Sequence, residues 1–73
     1  SKAGPAVIEA VKVAQEAGNE IGERFALVDG LIEIRDTFEI NSEEHKAYSL
    51  AIKNSYNQSM TLEALREMVG VSK

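Results

Sequence analysis

Cysteine is absent from these 73 residues, so no disulfide closes the fold and no thiolate is available as a nucleophile or metal ligand. The single histidine, His45, excludes a histidine-rich metal site. No apolar run approaches the roughly 18 residues that a membrane-spanning helix needs. No signal peptide is visible in the stretch given, and the expected location is cytoplasmic. No segment alternates with the period of a strand, and no repeat runs through the chain. A chain this short buries only roughly 60% of its unfolded surface, so its core needs reinforcement. With disulfides and metals set aside, self-association is the reinforcement that remains.

Charge is unevenly laid out. Residues 9–44 carry ten acids against Lys12, Arg24 and Arg35, a net of −7, whereas residues 45–73 are +2 and the whole chain is −4. An acidic front half repels phosphate backbones, which argues against nucleic acid as its partner. The layout reads first as solvated helix faces.

What is present is helical periodicity. Steps of four and three residues connect Val7, Val11, Ala14, Gly18, Ile21, Phe25, Val28 and Ile32, a heptad seam without a polar member. Glu9, Glu16, Glu23 and then Gly30 fall furthest from it. A second pattern places Ala or Gly at every fourth position from 6 to 30, including Gly18 and Gly22, a flat ridge that lets another helix approach closely. Interleaved Glu and Lys residues keep that ridge out of a bilayer.

The expected architecture is all-α, a small helical bundle completed by dimerisation. Residues 1–5 should be frayed, with Gly4-Pro5 starting the first helix. Because the seam keeps its phase through Gly18, the spacing predicts one long helix over 6–39, bent near 18–22. The alternative is a break at Gly18-Asn19, since glycine suits the end of one helix and asparagine the cap of the next. An unbroken helix would be roughly 50 Å long and would overhang a globule whose radius of gyration is about 11 Å. The exposed seam would then need a second copy to cover it. A further stripe, Leu27, Leu31, Ile34 and Phe38, would face the chain's own later helices. Glu20 and Arg24 are spaced for an ion pair along the helix.

After a connection near 36–40, Asn41-x-x-Glu44 resembles a capping box and opens a helix over 42–57. Its inward face is Tyr48, Ala51, Ile52, Ser55 and Tyr56. A polar turn at Asn57, Gln58 and Ser59 leads to Thr61, which caps a last helix over 62–69 with Leu62, Leu65, Met68 and Val69 inward and Gly70 at its end.

Groups that could carry chemistry are sparse. His45 has no acid one helical turn away to orient it, and it lacks a nucleophile beside it. Ser42 stands where a di-metal Glu-x-x-His element would need its Glu. Asp29-Gly30 is followed by Leu31 and Ile32 rather than by calcium-loop acids, and Gly18-x-x-x-Gly22 lacks the Lys-Ser or Lys-Thr of a phosphate loop. No catalytic residue, cofactor or metal ligand is therefore expected.

Residues 61–72, Thr-Leu-Glu-Ala-Leu-Arg-Glu-Met-Val-Gly-Val-Ser, resemble the first helix and turn of a helix-turn-helix, with Gly70 in the turn and Ser72 capping a recognition helix. The resemblance implies a DNA-binding transcriptional regulator, or the dimerisation piece of one. Arg66 departs from it, occupying the slot where that family has a small residue. The leading expectation is a non-enzymatic interaction module, a homodimeric coiled-coil-like regulator or assembly adaptor that binds another protein. Its interface is expected at Val7, Val11, Ala14, Gly18, Ile21, Gly22, Phe25, Val28 and Ile32.

Overall fold

A computed structural model describes residues 2–73. Those residues form four helices and no strand: α1 (Pro5–Glu16), α2 (Glu20–Arg35), α3 (Glu43–Tyr56) and α4 (Leu62–Val69). Helices α1, α3 and α4 each pack against α2, which makes α2 the hub of the bundle. The chain has a radius of gyration of 11.5 Å and extends 37 × 25 × 14 Å. Among the described residues, no helix is long and apolar enough to cross a membrane.

The single helix expected over 6–39 is two helices. Gly18 adopts φ +65°, a left-handed conformation that ends α1 at little cost because glycine has no Cβ. Asn19 then caps α2, its side-chain oxygen accepting from the Gly22 N–H at 2.9 Å. A Cβ on Gly22 would collide with the Asn19 side-chain amide, so glycine at 22 is what lets the cap close. The chain folds back and α1 lies along α2. Val7, Val11 and Ala14 are buried there inside the same chain. The seam thus does not run along one helix.

The reversal also changes which side of α2 faces inward. Leu27, Leu31 and Ile34 are buried as expected, joined by Ala26, Val28 and Gly30. Gly30 permits a close three-helix approach, since a Cβ there would come within 3.1 Å of both Val7 and Val69. Glu23 and Gly30, expected on the outward side, are both buried.

The α3 cap is one residue later than the capping-box reading. Ser42 accepts from the His45 N–H at 3.1 Å, and Asn41 instead takes a left-handed turn at φ +73°. Thr61 caps α4 by accepting from Ala64 N–H at 3.0 Å, and Gly70 at φ +85° ends it. Tyr48 in the core and half-buried Phe38 against it stack with ring centroids 6.0 Å apart.

Of the frayed segment expected at 1–5, Ser1 lies outside the described residues. The rest is tied down. The Lys2 N–H donates to the Val69 carbonyl at 3.2 Å, and the Gly4 N–H donates to Glu33 at 2.9 Å. The N-terminal strap therefore bridges α4 and α2.

Candidate interaction groove

The turn at Asn19 fixes where the first two turns of α2 point. Ile21 is 73% exposed and Phe25 61% exposed, one helical turn apart on the same outward side. Tyr56, the last residue of α3, is also 61% exposed, although the sequence placed it on the inward face. The polar turn after it is held by the Ser59 N–H donating to the Asn57 side chain at 3.1 Å and to the Asn54 carbonyl at 2.8 Å. Arg24 then ties α2 to this turn, donating to the Met60 carbonyl at 2.7 Å. It makes this bond rather than the ion pair with Glu20 that their spacing suggested.

Together these elements enclose a groove of about 300 Å³. Ile21, Phe25, Tyr56 and Leu62 supply apolar walls, Val28 and Ser55 lie at its buried side, and Glu20, Arg24 and Gln58 stand around it. That size is at the lower end for a small-molecule pocket, and it suits one or two large side chains. Ser55 is fully buried, and its hydroxyl has no hydrogen-bond partner among the described residues.

A second polar cluster sits on the opposite side of α2. Glu23 receives two hydrogen bonds from Arg66 and a third from Gln15 Nε2 at 2.9 Å. The Arg66 hydrogen bonds hold the Glu23 carboxyl below its ordinary range, more than burial raises it. The same bonds push the Arg66 guanidinium higher still. Gln15 also donates to the Ser72 carbonyl at 3.2 Å, which keeps the C-terminal residues against α1. Both carboxylate oxygens of Glu23 are thus paired within the fold. The cluster is a structural lock between α1, α2 and α4, and it explains why position 66 is not the small residue of a helix-turn-helix.

The nine residues expected at an interface separate into groups. Val7, Val11, Ala14 and Val28 are buried in the chain's own core, Gly18 forms the α1–α2 turn, and Gly22 and Ile32 are half-buried. Of the apolar side chains larger than alanine among them, only Ile21 and Phe25 stand out to solvent, and both line the groove. Sequence reasoning did not find Tyr56, Leu62 and Ser55 as their neighbours. Nothing in the spacing reports that the end of α3 and the start of α4 come beside the start of α2.

Among the described residues, no group of three or more His, Asp or Glu side chains is placed to hold a metal ion. His45 lies at the start of α3, away from the groove lining. No family model matches the chain, and neither a curated protein nor a solved structure matches it.

Proposed function

We propose that this chain is a non-enzymatic protein-interaction module, of the kind that serves as an oligomerisation domain, small regulator or assembly adaptor, and that the groove beside Phe25 is its docking face. The observation that carries this reading is where the aromatics stand. The chain has two Phe and two Tyr, and one of each, Phe25 and Tyr56, is largely exposed at the same groove. Leaving a large apolar side chain in water forfeits about 1.5–3 kcal/mol that burial would return. A protein with so few aromatics gains nothing for its own fold by placing half of them there. Aromatic anchors beside a pocket are what protein interfaces use for most of their binding energy. Glu20 beside the groove, within the acidic 9–44 stretch, makes a phosphate backbone a poor occupant.

The reading is tested with a photo-crosslinking side chain at position 25 and, as a control, at exposed Glu9 on α1, in cells that make the chain. Covalent adducts at position 25 and none at position 9 are the expected result. No adduct at either position would remove the proposal.

A further inference from the structure

We infer that the side chain this groove takes from a partner protein is a tyrosine, its ring seated against Phe25 and Tyr56 and its hydroxyl bonded to that of Ser55. The inference rests on the interaction reading above and adds to it the chemistry of the partner's anchor.

Ser55 carries the argument. A serine inside a helix can turn its hydroxyl back to the carbonyl four residues earlier, here that of Ala51. Ser55 does not, and its buried hydroxyl has no hydrogen-bond partner among the described residues. It stands on the inward face of α3 with Tyr48, Ala51 and Ile52, where alanine would leave no polar atom to satisfy. Unpaired buried polar groups are rare enough that each calls for a reason. Ser55 is also a lining residue of the groove, so the unpaired hydroxyl and the exposed aromatics belong to one site. A local cost to stability is what a binding site retains when its occupant relieves it.

The lining limits what the occupant can be. Its walls are apolar and include two exposed rings, which suit an aromatic body in stacked or edge-on contact. Two charged side chains line it, Glu20 and Arg24, of opposite sign, which favours a neutral tip. A phenol meets both demands. Its hydroxyl donates and accepts, so it pairs with a serine hydroxyl in either role, whereas an indole N–H only donates. Phenylalanine or leucine would suit the walls and leave the serine unpaired. A groove of about 300 Å³ has room for the ring. Ser55 has no accessible surface of its own, so the tyrosine reaches it by pushing aside a rim side chain. Phe25 and Tyr56 stand mostly in solvent and can turn without disturbing the core.

NMR titration with N-acetyl-tyrosinamide and N-acetyl-phenylalaninamide, which differ by one oxygen, reads the tip directly. Both should shift the amides of Phe25, Val28 and Ser55, and the tyrosine compound should bind wild type about tenfold tighter, the effect of one hydrogen bond. Ser55→Ala should bind the two alike. That variant keeps the walls of the groove, and circular dichroism should show unchanged helix content. Phe25→Ser should lose both compounds. Equal affinity of wild type for the two, a preference that survives Ser55→Ala, or no binding of either would overturn the tyrosine. Should position 25 still form protein adducts in that case, the interaction reading stands without this inference. A tyrosine preference with no adduct at position 25 would assign the groove to a free phenolic ligand and overturn the protein partner. Neither preference nor adduct would end both.

Discussion

Arg66 on α4 grips Glu23 on α2 with two hydrogen bonds, Nε to Oε2 at 2.6 Å and Nη2 to Oε1 at 2.8 Å, and the two side chains are 12% and 3% exposed. Such a two-pronged pair fixes orientation as well as distance. It joins the shortest helix to the hub and, through Gln15, joins both to α1. Removing one partner would leave the other charge buried. Arg66→Met is expected to cost about 3–5 kcal/mol, against a total stability of about 4–11 kcal/mol for a chain of this length. The variant should sit at the edge of unfolding at room temperature. Replacing both residues, Glu23→Leu with Arg66→Met, should recover most of the loss, which urea titration of the three proteins will show.

The same pair sets a pH dependence. The folded Glu23 carboxyl ionises below its ordinary value of 4.5, so the folded state holds fewer protons there than the unfolded chain. Its contribution is fully present above that ordinary value and is lost as pH falls through it towards the folded value. The urea midpoint should hold level on acidification to about pH 5 and fall below it. Other carboxylates contribute to that fall, so the difference between wild type and Glu23→Gln isolates this residue. A constant difference from neutral pH down to the acid limit would contradict the assignment.

Ser55 offers a stabilising change. Its hydroxyl is buried with no partner among the described residues, and an unmade hydrogen bond of this kind costs about 1–3 kcal/mol. Ser55→Ala removes the hydroxyl, keeps the helix and improves local propensity. It should raise the unfolding free energy by about 1 kcal/mol, and a lower melting temperature would count against this account.

Gly18 reports on the α1–α2 turn. Its backbone is left-handed at φ +65°, and nothing lies within 4 Å of where a Cβ would stand. Gly18→Ala therefore probes backbone strain without any packing change, and should destabilise by about 1–2 kcal/mol. Helix content by circular dichroism should stay the same. A rise in helicity would mean that alanine joins α1 and α2 into one rod.

Much of the local architecture is legible from residue types, because caps and breakers act over one turn. Thr61 and Gly70 bound α4, Gly4 and Pro5 start α1, and the Leu27–Leu31–Ile34 stripe is the buried side of α2. Glu23 was also within reach of pattern reading. One step of four back from Leu27 lands on it, and a carboxylate on an apolar stripe calls for a buried cation. The seam count assigned it outward because the count was carried unbroken through Gly18.

The groove was legible only in part. Ile21 and Phe25 are apolar at helical spacing, which marks them as a face needing cover without saying which helix covers it. Tyr56 shares its stripe with Ser55 and Ile52, and its outward position depends on how the end of α3 meets α4.

The order of amino acids alone determined that this chain is helical, where glycine and asparagine can interrupt it, and which side chains seek shelter from water. Each of those follows from backbone sterics, local hydrogen bonds and a period of 3.6 residues. Only the tertiary structure decided that α1 turns back onto α2, so that Val7, Val11 and Ala14 find cover at home while Ile21 and Phe25 do not. A hydrophobic stripe records an aversion to water, and it is equally satisfied by a neighbour from its own chain or from another.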